Sequence, residues 1–128
     1  MTLDSSAIIA ILFAEPGYLH LVDRILAADH VRVGAPTVVE TGLVFAGRGA
    51  ARGGESVGGL LTELGVTVVS FGEAEARLAT DAFQRFGRGR HPARLNYGDC
   101  LAYATATVAR DTLLFVGEDF AKTDIAPA

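Results

Sequence analysis

Short β-branched apolar runs separated by longer stretches of helical period restrict this chain more than any other feature. Val31-Arg32-Val33, Val66-Thr67-Val68-Val69 and Leu113-Leu114-Phe115-Val116 have the density of buried strands, and Leu3-Asp4 ends a very short opening one. Between them lie helical segments. Ala7 to Ala14 is apolar all round, as a helix buried on most faces would be, and Glu15-Pro16-Gly17 breaks it. Tyr18 to Ala28 carries Leu19, Val22, Ile25 and Leu26 on a helical period. Pro36 sits where a first turn tolerates it and opens a helix through Val39, Leu43 and Val44. Further helices are expected over Val57 to Leu64, over Glu73 to Phe86 with acids in its first turn, and over Asp99 to Arg110 after an Asn96-Tyr97-Gly98 turn. The Gly/Arg-rich stretch Gly47 to Gly54 reads as a loop. This alternation predicts an α/β fold with a short, mainly parallel central sheet and helices on both faces.

At 128 residues the chain suits one domain over 1–128. Half of it is hydrophobic and 20% charged, which excludes a disordered chain. Cys100 is the single cysteine, so neither an intramolecular disulfide framework nor a multi-cysteine zinc site is possible. His20, His30 and His91 are scattered without ligand spacing. The opening Met1-Thr2-Leu3-Asp4 has no basic leader, and no uncharged apolar run reaches about 18 residues. We therefore expect a cytoplasmic protein with no membrane partner. The formal charge of −4 argues against a broad positive surface for coating nucleic acid.

In parallel sheets, ligands collect beyond the carboxyl ends of the strands. Asp4, Glu40, Asp99 and the pair Glu118-Asp119 all fall where the chain should pass that edge. Gathered carboxylates repel one another unless a cation neutralises them, and oxygen ligands of this kind suit Mg²⁺ or Mn²⁺. Each acid also has an ordinary explanation. Asp4 and Asp99 could be helix caps, and Asp119 could simply face solvent. Glu40 is harder to explain away, because Val38, Val39, Leu43 and Val44 suggest a largely buried helix.

Arg85, Arg88, Arg90 and Arg94 supply four of the 11 basic residues within one Gly-containing segment just before Asp99. Flexible backbone and guanidinium forks suit a phosphate backbone, though a solvated loop would look the same. Cys100, flanked by Leu101 and Ala104, reads as a core cysteine. Ser5 and Ser6 lack a nucleophile elbow, and Gly47 to Gly54 lacks the ending of a phosphate-binding loop.

Four segments together resemble PIN-domain nucleases, and within them toxins of the VapC type. They are Leu3-Asp4-Ser5-Ser6-Ala7, Pro36-Thr37-Val38-Val39-Glu40, Leu95-Asn96-Tyr97-Gly98-Asp99-Cys100 and Leu113 to Phe120. Lys122-Thr123-Asp124-Ile125 is similar to the tail of one branch of these toxins. The resemblance implies a Mg²⁺-dependent endoribonuclease, with Mn²⁺ as a substitute, that forms a homodimer. It implies a VapB-type antitoxin as partner, in a heterotetramer or larger assembly, whose C-terminal segment can place a basic side chain in the acidic site. Carried over by motif, Asp4, Glu40 and Asp99 are site carboxylates and Ser6 is the supporting hydroxyl. Many relatives have Asp where this chain has Gly117, so the fourth acid is assigned to Asp119, with Glu118 and Asp124 as substitutes. Asp4, Asp99 and Asp119 would hold the metal, and Glu40 would ligate it or deprotonate water. Arg85, Arg88, Arg90 and Arg94 would guide RNA.

Two other readings can be weighed. A PIN-like protein could bind RNA or antitoxin without cutting. A signalling receiver domain is a poor fit: Ser5-Ser6 follow Asp4, no Asp lies between Asp29 and Asp81, and the only Lys is Lys122. Setting aside the four assigned acids leaves 11 acids against 11 basic residues, so the net negative charge is the size of the proposed site.

Overall fold

A computed structural model describes residues 1–49 and 53–128. The elements run β1 (Thr2–Leu3), α1 (Ser5–Leu12), α2 (Tyr18–Leu26), β2 (Arg32–Gly34), α3 (Ala35–Gly47), α4 (Gly53–Glu63), β3 (Thr67–Val69), α5 (Glu73–Phe86), α6 (Tyr97–Ala109) and β4 (Leu113–Leu114). The four strands are ordered β3-β2-β1-β4, and every neighbouring pair is parallel. The chain therefore steps outward from β1 to β2 to β3, then returns to the other side of β1 for β4. That reversal puts a topological switch point between β1 and β4, the place where parallel sheets leave a crevice at their carboxyl ends.

Alternation along the short strands feeds two cores. Leu3, Val33 and Leu114 pack with Ala7, Ile8, Ile25, Val57 and Leu61. Leu113, one residue from Leu114, belongs to the other cluster with Ala82, Phe86, Cys100, Tyr103 and Phe120. Successive strand side chains point to opposite faces, so both faces of the sheet are covered by helices. Among the described residues, no helix is long and apolar enough to cross a membrane.

Several boundaries differ from expectation for identifiable reasons. α1 begins at Ser5 instead of Ala7, because Asp4 caps it. It stops at Leu12, and Ala14 beyond it takes a left-handed conformation. Asn96-Tyr97-Gly98 is no turn: Asn96 caps α6, and Tyr97 and Gly98 are its first residues. β4 ends two residues early, since the Val116 N–H donates to Ser6 Oγ at 3.0 Å and Phe115 packs on Phe120. Helices extend into both ends of the expected Gly47 to Gly54 loop, while residues 50–52 lie outside the described residues.

Candidate active site

Asp4 leaves β1 straight into α1, and its side chain is nearly sealed from solvent, at 2% exposure. One carboxylate oxygen accepts the Ser6 N–H at 2.9 Å and the Ser6 hydroxyl at 2.5 Å. The other, Oδ1, is buried with no hydrogen-bond partner. Burial is the main cause lifting its pKa above the usual carboxylate range. The bonds from Ser6 and Ser5 oppose that rise, and the charge of Asp119 adds to it. Ser6 Oγ also accepts the Val116 N–H, so one hydroxyl ties the exit of β1 to the exit of β4.

Glu40 stands in α3, which follows β2. Its helix is not largely buried: Val39, Leu43 and Val44 are exposed, and the face that meets the protein is lined by Thr37 and Thr41. Val38 does pack against the core, but Val39, Leu43 and Val44 were a misleading sign, because in α3 they form a surface patch. Glu40 itself is half-buried, and its Oε2 has no hydrogen-bond partner. Burial, then the charges of Asp4 and Asp99, raise its pKa, with the Ser5 side chain offsetting part.

Asp99 occupies the first turn of α6 in a capping box. Its Oδ2 accepts the Asn96 N–H at 2.7 Å, and Asn96 Oδ1 accepts the Asp99 N–H at 3.0 Å. Its pKa is raised to about 6, chiefly by burial; the Asn96 bond opposes this, Asp4 and Asp119 add to it, and Arg88 lowers it. Asp119 is exposed on the loop after β4, close enough for its charge to act on both Asp4 and Asp99. Glu118 is exposed beside it. Asp124 is engaged elsewhere, accepting from the Tyr103 hydroxyl at 2.6 Å and from Arg85 at 2.5 Å. Those partners hold its pKa below the usual carboxylate range despite some desolvation.

The structure thus brings Asp4, Glu40, Asp99 and Asp119 into one electrostatic group, from four separate stretches of chain. Among the described residues no Lys or Arg ion-pairs with any of them. Nor do any three His, Cys, Asp or Glu side chains among the described residues stand ready as a closed metal-ligand set. What the site offers a cation is the two orphaned oxygens, Asp4 Oδ1 and Glu40 Oε2, in a donor set of carboxylates. Such donors fit a hard divalent ion.

The arginine segment divides in two. Arg85 is held by the C-terminal segment through Asp124 and Tyr103, and its guanidinium covers the Phe86 ring at 4.5 Å. Arg88, Arg90 and Arg94 are exposed on a loop closed at its base by Arg88 N–H to Leu95 O, at 3.0 Å, and Leu95 N–H to Phe86 O, at 2.9 Å. Cys100 is buried, and its thiol is pushed up to about 11 by burial first and by Asp99 second, which removes it as a nucleophile. Sequence reasoning missed the Asn96 cap and the closeness of Gly98 to Glu40. The Asn-x-x-Asp spacing of a capping box was a readable signal for the first.

A PIN-domain family model matches residues 1–126. Ribonuclease VapC42 of Mycobacterium tuberculosis is 40% identical over 129 residues, spanning 100% of this chain and 98% of its own. This chain belongs to the PIN-domain family, in its VapC ribonuclease branch. Ribonuclease VapC36 of the same organism is also 40% identical, over 126 residues, covering 98% of this PIN domain and 91% of its own length. The fold agrees with that of M. tuberculosis VapC20, described as a sarcin-ricin loop cleaving toxin, at a TM-score of 0.77 with 14% identity over 99% and 97% of the two chains. A chain of a toxin–antitoxin complex from Klebsiella pneumoniae superposes with a TM-score of 0.70 at 14% identity, covering 96% of this chain and 92% of that one. At that identity, these two structures speak for a shared PIN fold.

Proposed function

We propose that this PIN domain is a Mg²⁺-dependent endoribonuclease toxin of a VapBC-type pair, hydrolysing RNA phosphodiester bonds at the Asp4–Glu40–Asp99–Asp119 site. One observation carries the reading: four carboxylates from separate elements converge at the switch point of a parallel sheet, and among the described residues no Lys or Arg forms an ion pair with any of them. Asp4, Asp99 and Asp119 would hold Mg²⁺, with Mn²⁺ able to replace it. The bound ion would lower the pKa of a water and stabilise charge on a phosphoryl oxygen. Asp119 is favoured as the fourth acid over Glu118 and Asp124, because its charge reaches Asp4 and Asp99 while Asp124 is tied to Arg85.

The protein's own groups supply the rest. Ser6 fixes the Asp4 carboxylate through a hydrogen bond, leaving Oδ1 free to act as a ligand. Glu40, with its raised pKa, can ligate metal or take a proton from the attacking water. Arg88, Arg90 and Arg94 would hold the RNA backbone beside Asp99, with Arg88 nearest in charge. The same uncompensated negative field suits a basic side chain from a VapB-type antitoxin, and the likeness to a toxin–antitoxin complex supports that partner class. The exposed apolar face of Val39, Leu43, Val44 and Tyr97 supports a homodimer, to be checked by light scattering of the isolated toxin. Its place of action on this reading is the cytoplasm.

Incubating total RNA with the protein, with and without Mg²⁺, tests the function, and mapping the new ends identifies the cleaved bonds. Cleavage should stop on chelation and in Asp4→Asn or Asp99→Asn. Folded variants that cut at the unaltered rate would overturn the assignment. Metal-independent RNA binding without cutting would select the binding-only alternative.

A further inference from the structure

Gly98 is the second residue of α6 and is buried. Its φ lies outside the left-handed region, so backbone conformation does not explain a glycine there. Space does. A Cβ on residue 98 would stand 2.5 Å from both the carboxyl carbon and Oε2 of Glu40, and closer still to Oε1. The Glu40 carboxyl therefore lies directly on the first turn of α6, where the positive end of the helix favours an anion. From there its charge interacts with those of Asp4 and Asp99.

We propose that Gly98 is a positioning residue of the acidic site: its missing side chain is the cradle that holds the Glu40 carboxyl against α6 and toward Asp4 and Asp99. This rests on the metal-site reading above and adds the residue that sets where Glu40 points. The obstructed atoms are the far end of a flexible side chain, so a methyl at residue 98 can be accommodated by moving Glu40 and leaving the backbone in place. The neighbouring Val39 and Leu43 are open to solvent, so the displaced carboxyl has room to swing outward. Alanine also has the better helix propensity. Gly98→Ala should thus disturb the site and spare the fold.

The experiment is a double-mutant cycle of Gly98→Ala and Glu40→Ala, read by calorimetric Mn²⁺ affinity and by melting temperature in chelator. Gly98→Ala should melt at or above the unaltered protein without metal, yet bind Mn²⁺ about tenfold more weakly. In the Glu40→Ala background, adding Gly98→Ala should change affinity by less than about twofold, because its effect runs through a carboxyl already removed. Unchanged affinity in Gly98→Ala overturns the proposal. So does an equal loss in both backgrounds, or a melting temperature lowered equally in both, since residue 98 would then serve the packing of α6. If the unaltered protein binds no Mn²⁺, the metal-site reading itself falls and takes this proposal with it.

Discussion

At the amino-terminal edge of the sheet, Asp111 faces Arg32 at 2.7 Å and accepts the Thr2 hydroxyl at 3.2 Å. At the opposite edge, Asp4, Glu40, Asp99 and Asp119 form one electrostatic group: Asp119 raises the proton affinity of Asp4 and Asp99, and Asp4 and Asp99 raise that of Glu40. One helix links the two places: α6 starts at the acidic group and ends just before Asp111. The same residue type is thus ion-paired at one end and, among the described residues, without an ion pair at the other. A buried carboxylate without a counter-charge costs stability, so a fold that keeps several together is suited to a ligand that neutralises them. The contrast separates a carboxylate that holds the sheet from carboxylates that, on the proposed reading, a cation would neutralise.

The largest expected effect breaks the acidic end alone. Asp4→Asn retains a capping side chain, so α1 should still start at Ser5. RNA cleavage at saturating Mg²⁺ should nevertheless fall at least about a hundredfold, and chelation of the unaltered protein should do the same. Initial rates on a defined RNA check both. Stability should move in opposite directions at the two ends. Asp111→Asn should destabilise by about 1–2 kcal/mol, because Arg32 loses its partner in a partly buried place. Asp4→Asn should raise the melting temperature in chelator. Thermal melts of the two variants side by side would sink the comparison if both shifted the same way.

The sheet was legible because its signal is repeated: β-branched runs and helical periods alternate along the whole chain, and a slip of two residues at one boundary leaves the order intact. Where boundaries slipped, a single side chain decided them, as Asp4 and Asn96 did by capping helices and Ser6 did by taking the Val116 N–H. The acids were legible as residue types at strand exits. Their ordinary and functional roles, which the sequence sets against each other, coexist in three dimensions. Asp4 caps with one oxygen and leaves the other bare, and Asp99 closes a capping box while remaining coupled to Asp4 and Asp119. What one-dimensional reading could not supply was the direction each residue faces. Apolar neighbours of Glu40 suggested burial, yet Val39, Leu43 and Val44 point outward and only Val38 packs against the core. Four arginines close in sequence suggested one patch, yet Arg85 turns to Asp124, 39 residues on.

The acidic end should also set the pH dependence of the metal-free fold. Asp99 ionises near 6 in the native state against 3.8 in the reference state, and Asp4 and Glu40 shift the same way. A carboxyl with a raised native pKa binds more protons folded than unfolded, so stability falls as pH rises through its native pKa. Between about pH 5 and pH 7.5 the chelated protein should therefore lose on the order of 1 kcal/mol through Asp99, after allowance for its partial exposure. Asp99→Asn should flatten that slope. Saturating Mg²⁺ should reverse it, because a cation binds the deprotonated acids. Denaturant melts across this range check the sign, and a chelated protein that stabilises on raising the pH contradicts it.

The smallest effect distinguishes the arginines. Binding can be measured without cutting in the Asp4→Asn background, as a function of salt. Arg88→Ala should weaken binding a few-fold and reduce the slope of log affinity against log salt by about 0.7–1, the signature of one lost phosphate contact. Arg85→Ala should leave that slope unchanged, because its guanidinium already pairs with Asp124 and Tyr103. Its cost should appear in stability instead, at no more than about 0.5 kcal/mol for a pair so open to solvent. Equal salt slopes for the two variants would mean that Arg85 leaves Asp124 for RNA, and the division of the arginine segment into an anchor and a nucleic-acid face would be lost.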